Sequence, residues 1–301
     1  MDIKLLNRFY GDEKGQSVVL MAVAMVVLLA ITACTIDVGY IFFQKRNLQN
    51  IADAATLAGA RELIDGNDVR GKVEEYVLAN GLDSDEIEDI DFDDRYVTVK
   101  LKDNHNLFFA NVLGVSNANI AARAKAAVGP ITGMSGLRPV GLNESIWNEA
   151  KQNPDNTWLA YFGSQGPGTW GYVFFSSNKK DWKDATIERD MEHGCQNEIF
   201  LGQDIYVNQG NVPGVRRAVQ NLIDNETIVY VPIIKDWDGD PGGGQGFPVE
   251  VIGFAAIQFT FQEKQGSNYI LGGRFIETVG AGDIDPDAPG DFGLKGIALV
   301  E

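Results

Sequence analysis

The stretch TIDVGYIFFQKRNLQNIADAATLAGARELI, residues 35–64, decides the fold. It starts at the end of a charge-free apolar run, meets an acid at Asp37, and passes without a break into an alanine-rich segment. From Ser17 to Ile64 there is no proline, and the only glycines are Gly39 and Gly59. Nothing there locks φ or removes a backbone donor, so one uninterrupted helix is expected. Leu48, Ile51, Ala52, Ala55 and Gly59 recur at steps of three and four residues and share one face of that helix. The face is made of small residues, and Ala55-x-x-x-Gly59 has the spacing that lets another backbone approach closely. Two readings stay open: the face docks a helix of another subunit, or the protein's own domain covers it.

Upstream, residues 17–36 (SVVLMAVAMVVLLAITACTI) are twenty residues without a charge. At about 1.5 Å per residue, a helix of that length covers roughly 30 Å, the thickness of a bilayer's hydrocarbon. A buried core helix is seldom this apolar on every side. The rival is a cleaved leader, since Ile31-Thr32-Ala33-Cys34 satisfies a lipoprotein box. Two features oppose it. The sixteen preceding residues carry three acids, unlike a short basic leader start. Ile41, Phe42 and Phe43 then prolong the apolar character beyond Cys34. Lys4, Arg8 and Lys14 precede the span and Lys45, Arg46 and Arg61 follow it, so flanking charge does not orient it. The sixteen residues before it read as a cytoplasmic tail, and the long remainder as an extracellular part. Asp37 reads either as the outer end of the span in water or as a polar contact between packed subunits.

Formal net charge is −17 over 301 residues. Residues 1–36 hold three basic and three acidic side chains, so the whole negative balance lies beyond them. Such a surface repels phosphate, which argues against nucleic acid as a partner. Two cysteines, Cys34 and Cys195, stand far apart, and no disulfide is expected between a membrane segment and a soluble part. Residues 1–129 contain no proline; all ten prolines lie in 130–301. A domain boundary is therefore placed at Gly129-Pro130-Ile131-Thr132-Gly133.

The motif G-Q-S before an apolar span, followed by T-I-D-V-G-Y and R-N-L-Q-N-I-A-D-A-A-T-L-A-G-A, resembles the N-terminal region of the TadG/TadE-like proteins of tight-adherence (Flp-type) pilus systems. The residues carrying the resemblance are Gly15, Asp37, Gly39, Leu48, Gln49, Ala52 to Ala55, and Leu57 to Ala60. It continues more faintly to about residue 128, and the stretches 194–214 and 231–259 resemble C-terminal regions of TadG-like proteins. The resemblance implies a membrane-inserted, pilin-like subunit with its bulk outside the cell and no catalytic activity. One departure stands out. Lys14-Gly15 is placed like a prepilin cleavage point, but the fifth residue after the cut is Leu20, where processed prepilins carry Glu. An unprocessed assembly, anchor or tip component fits this better than a major pilin.

The fold class expected is α+β. A long N-terminal transmembrane helix (17–36) leads into a pilin-like helix and a small α-β-β-α-β module (37–129), followed by a β-rich domain (130–301). In the module, 68–80 reads as a helix with Val69, Val73, Tyr76 and Val77 on one side, capped by Asp68 and stopped at Asn80-Gly81. Ile87–Phe92 and Tyr96–Leu101 read as strands around an acidic turn at Asp93-Asp94, and Asn106–Leu113 as a short helix ending at Gly114. From Asn119 to Val128, Ile120, Ala122, Ala124, Ala126 and Val128 alternate with Arg123 and Lys125, the pattern of a strand. Beyond it, strands are expected at Trp158–Phe162, Gly171–Phe175, Asp204–Val207, Ile228–Ile233, Val249–Phe261 and Tyr269–Thr278. A helix is expected at Gly214–Ile223, and Trp170, Phe174 and Phe254 are expected in the core.

Catalytic chemistry finds little support. His105 and His193 have no zinc-like spacing to a second His, Cys or carboxylate, and no nucleophile elbow occurs. GDPGGGQG (239–246) has the glycines of a phosphate loop but not its Lys-Ser/Thr. Calcium is the one inorganic partner the pattern suggests. Asp236, Asp238 and Asp240 alternate in a glycine-rich loop like the first half of an EF-hand, although Pro241 stands at the glycine position and Phe247 at the closing acid. Asp283, Asp285, Asp287 and Asp291 form a second acidic cluster. Both clusters also read as solvated turns.

The reading that emerges is a membrane-anchored, non-enzymatic component of a tight-adherence pilus (minor pilin, anchor or assembly factor). Its partners would be lipid and other pilin-like or secretion-system subunits, reached through the N-terminal helix. No cofactor is expected; the alternative is a cell-surface binding or adhesive domain on an anchor, for which calcium is the candidate ion. The intact mass of protein extracted from membranes is expected to be that of the unprocessed chain. A mass corresponding to a start at Cys34 plus lipid would remove the retained-helix reading.

Overall fold

The computed structural model describes residues 13–153, 155–162, 170–175, 183–208, 213–236, 246–265 and 268–300. The chain is α+β, with a long N-terminal helix and a β-rich C-terminal region carrying two sheets. It divides into two compact units. The first takes the long helix up to Thr56, then Val73–Asp91 and Thr98–Ala124; the second takes Leu57–Lys72, Phe92–Val97 and the chain from Lys125 onward.

Helix α1 runs from Glu13 to Asp65 without interruption. From Ser17 to Ile36 every side chain but that of Ala33 is exposed. The environment then changes along one stripe. Asp37, Leu48, Ile51, Ala52, Ala55, Thr56, Gly59 and Ala60 are buried at steps of three and four residues, and Tyr40, Ile41 and Gln44 bridge the gap half-buried. The small-residue face is thus covered by the protein itself. Of the two open readings, cover by the protein itself is the one that holds at Ala52 and Ala55, which are fully buried. Within the first unit, the Gln49 side-chain amide donates to the Arg123 carbonyl at 2.8 Å and ties the helix to a neighbouring strand.

Helix α2 (Val69–Ala79) forms where the valine spacing predicted it. Valine is a mediocre helix former, at a cost of several tenths of a kcal/mol each. Burying Val69, Val73 and Val77 almost completely returns about 1.5 kcal/mol or more per side chain, so packing decides. Asp68 caps the start by accepting from the Gly71 amide at 3.0 Å. Tyr76, expected on the covered side, is 38% exposed.

Strands β1 (Ile87–Phe92), β2 (Tyr96–Asn106) and β3 (Asn117–Met134) are neighbours in that order. The turn between β1 and β2 is held by Asp93, whose carboxylate accepts from the amides of Arg95 and Tyr96, both at 2.8 Å. The Arg95 amide first, and then that of Tyr96, keep the Asp93 carboxyl below its ordinary range despite some burial. The alternation expected in β3 is present: Ile120, Ala122, Ala124, Ala126 and Val128 are buried and Arg123 is exposed. The strand continues through Gly129–Gly133, the stretch chosen for its glycine and proline content. Glycine is required at 129 because a Cβ there would lie 2.7 Å from the Pro286 Cα. The predicted helix at Asn106–Leu113 is corrected to one 3-10 turn, Ala110–Leu113, with Asn106 ending β2. The ten residues between the strands form a closed loop instead: the Leu107 amide donates to the Ser116 carbonyl, and the amides of Phe108, Phe109 and Ala110 go to Asp37.

In the second unit, β14 (Leu294–Leu299) runs antiparallel to the trailing part of β3 and parallel to β12 (Thr278–Val279). The short strands β7 (Ile199–Phe200) and β13 (Asp283–Ile284) also pair with β3. The other sheet centres on β10 (Phe247–Gln265), which is antiparallel to β8 (Asp204–Asn208), β9 (Ile228–Ile234) and β11 (Asn268–Ile276). β8 pairs with β6 (Trp170–Phe174), β6 with β4 (Val140–Asn143), and β4 runs parallel to β9. These pairings return to β10 and close a ring; β5 (Thr157–Phe162) extends the sheet beyond β11. Irregularities at Val251/Gly253 and Phe259/Phe261 let the one long strand β10 serve several partners.

Three helices pack in one core with this sheet: α3 (Glu144–Ala150), α4 (Asp184–His193) and α5 (Pro213–Asp224). Val215, Val219 and Leu222 on α5 are buried, as their spacing predicted. Trp147 on α3 meets Phe275 edge-on at a centroid distance of 4.8 Å. A second core holds Phe254, Val251 and Val207 together with Ile131, Met134 and Leu294 of β3 and β14. Phe174 and Phe254 are buried as expected; the Trp170 side chain lies outside what is described.

Glycine at 194 is demanded twice over. Its φ is +83°, and a Cβ would fall 2.5 Å from the Gly136 carbonyl oxygen. Gly202 has a similar φ of +79° but open space around it. Gly202→Ala is expected to cost about 1 kcal/mol, and Gly194→Ala distinctly more because steric overlap adds to the strain. Denaturant unfolding of the two variants measures the difference; equal losses would contradict the packing described.

Candidate functional site

The site begins with one acid on a helix. Asp37 follows directly on the charge-free run and opens the buried stripe of α1. Its residue is only 4% exposed. A buried carboxylate needs partners, and here they are backbone amides from a segment seventy residues downstream. Oδ1 accepts from Phe108 N at 2.9 Å, and Oδ2 accepts from Phe109 N at 3.0 Å and Ala110 N at 2.6 Å. These amides open the 3-10 turn Ala110–Leu113 and have no partner within the turn itself. Asp37 therefore caps the turn from outside. Neither open reading of this residue, an outer end in water or a contact between subunits, describes what it does.

The capped segment lies between β2 and β3. Leu107 is buried and donates its amide to the Ser116 carbonyl, closing the loop at its base. Gly114 ends the turn with φ +85°. The apolar residues of the tip face outward: Phe108 is 62% exposed, Phe109 45%, Val112 87% and Val115 52%. Phe108 packs edge-on against Tyr40, whose ring also meets His105. Phe109, Ala110 and Val112 line a cleft of about 470 Å³ with Leu29, Ala30, Thr32, Ala33, Cys34 and Ile36 of α1. The walls are almost wholly apolar.

The acids singled out in the sequence behave differently. The Asp236 carboxylate accepts from the Ser145 amide and hydroxyl, at 3.2 and 3.1 Å. Asp238 and Asp240 lie outside the described residues, so the calcium loop rests on sequence spacing alone. In the second cluster, Asp285 accepts from the Asp287 amide, Asp287 pairs with Arg95, and Asp291 pairs with Lys295. Among the described residues, no three His, Cys, Asp or Glu side chains are grouped to hold a metal ion.

Cys195 is a buried free thiol whose pKa burial pushes up to about 11, the opposite of the thiolate a nucleophile requires. The neighbouring His193 side chain is 75% exposed, with Glu192 at 3.7 Å. His105 pairs with Asp103 at 2.7 Å.

The pairing of Asp37 with the loop could not be read from sequence, because nothing local links residue 37 to residue 108. The available signal was an acid placed on the apolar stripe itself, where an unpartnered charge is costly. Asp37→Asn keeps the shape but turns a nitrogen donor toward one of the three amides. It is expected to release the loop locally: amide exchange at Phe108, Phe109 and Ala110 should accelerate while the second unit keeps its protection. Unchanged exchange at those amides would contradict the capping role.

Among the described residues, one helix is long and apolar enough to cross a membrane, and its most apolar window is not buried by the protein. No curated protein and no solved structure matches the chain. Residues 15–62, which hold that apolar run, Asp37 and the buried stripe, match the model of the Tad family of Flp pilus-assembly TadE/G-like proteins, so this N-terminal segment is similar to those proteins.

Proposed function

We propose that this protein is a non-enzymatic, membrane-anchored minor pilin, anchor or assembly factor of a tight-adherence pilus. Its bulk lies outside the cell and residues 1–16 lie inside. The observation that carries the reading is the coincidence, on one helix, of the family match with an exposed twenty-residue apolar run. The acidic balance beyond residue 36 suits a domain in the medium. Contacts with other pilus components run through the part of α1 that the protein leaves uncovered. Val18 to Leu29 and the outward Phe42 and Phe43 are exposed there, in contrast to the covered Ala52 and Ala55.

Deleting the coding sequence is expected to abolish surface filaments and tight adherence. The full chain should restore both, and a chain lacking residues 17–36 should not. Protease added outside intact cells should digest the region beyond residue 65. Filaments that persist while only surface binding is lost would overturn the assembly role in favour of an adhesive domain.

A further inference from the structure

We propose that the loop Leu107–Val115 is a second membrane contact, inserting its apolar tip among the lipid acyl chains beside the span. The inference rests on reading residues 17–36 as membrane-spanning. Given that reading, the depth of the loop follows from geometry. Phe109 and Val112 line one cleft with residues 29 to 36 of α1. At about 1.5 Å per residue, Leu29 lies roughly 10 Å below the end of the span at Ile36. A side chain lining the same cleft lies between those two levels, the range over which interfacial apolar groups sink, about 5–10 Å.

The composition of the loop agrees. No Asp, Glu, Lys or Arg occurs between Asp103 and Arg123, in a chain whose net charge is −17. The apolar surface of α1 also continues past Asp37: Val38, Phe42 and Phe43 are each about two-thirds exposed, and the first basic pair, Lys45-Arg46, comes after them. Phe108, against Tyr40, lies at the height of these residues. Phe108, Phe109, Val112 and Val115 therefore fall within the slab that the helix itself marks as apolar. Lipid is the occupant the observations favour because the cleft opens on the face of α1 that already requires it.

Asp37 makes this arrangement tolerable. An acid at the edge of hydrocarbon is costly unless partnered, and the three loop amides would be equally costly without an acceptor. Each satisfies the other, so the loop can enter the apolar layer with the start of its turn capped.

The test uses the full chain in vesicles of phosphatidylcholine and phosphatidylglycerol, with Cys34→Ser as background. An environment-sensitive fluorophore is attached at Val112→Cys or, separately, at Val26→Cys in the middle of the span. Val112 is 87% exposed and Val26 66%, so neither change disturbs a core. The Val112→Cys probe is expected to shift to the blue and to lose most of its emission to lipids spin-labelled near the headgroup. The Val26→Cys probe should be quenched by lipids labelled near the chain end. Quenching at 26 but not at 112 overturns the loop insertion and leaves the span in place. No quenching at 26 overturns the span reading and the proposal with it. A blue-shifted but unquenched probe at 112, with disulfide-linked dimers of Val112→Cys without the fluorophore, would assign the cleft to a second copy and overturn the lipid contact.

Discussion

The buried carboxylate of Asp37 is the interaction on which the first unit turns. It stands on α1 where exposure on all sides gives way to a covered stripe. Its two oxygens take the three amides that open the 3-10 turn, and those amides cannot be satisfied within the turn. The bonds are charge-assisted, shielded from water and directed at backbone, so they fix a position and not merely a side-chain contact. One residue thus joins the first turn past the apolar run to the link between β2 and β3.

The covering of α1 beyond that point depends on size. Ala52, Ala55 and Ala60 on the helix are buried, and so are Ala122, Ala124 and Ala126 along β3. Alanine surfaces on both elements allow close approach, and the Gln49 bond to the Arg123 carbonyl sets the register between helix and strand. The small-residue spacing signals helix packing in a membrane just as readily. Here the same spacing serves the protein's own sheet. The family match spans this covered stripe as well as the uncovered apolar part of α1 and Asp37.

The second unit meets a different constraint. β10 pairs in turn with β8 through Phe247–Glu250, with β9 through Val251–Gln258 and with β11 through Ala256–Gln265, and its irregularities allow one strand to take part in all these pairings. The helical core holds Trp147, Phe275 and Phe292 in edge-on contact, while the other core recruits Ile131 and Met134 from β3 and Leu294 from β14. Cys195 in that second core is a packed side chain whose thiol pKa is raised by burial.

Much of this was legible from residue patterns because the relevant forces are local and periodic. An uninterrupted α1, the valines of α2, the alternation of β3 and the apolar face of α5 follow from spacing, and spacing is set by backbone geometry. Other features were not legible. β4, α3, α4 and β14 are short or weakly patterned, and their apolar residues are defined only by the sheet they cover. Asn106–Leu113 looked helical by composition, but Asn106 ends β2 and the amides of Phe108, Phe109 and Ala110 go to Asp37, which leaves a single turn. The sequence alone determined that an apolar, charge-free run continues into an alanine-faced helix, since both properties belong to consecutive residues. Only the tertiary structure decided what covers that face and what Asp37 binds, because burial and hydrogen-bond partners depend on residues distant in the chain and brought close by folding.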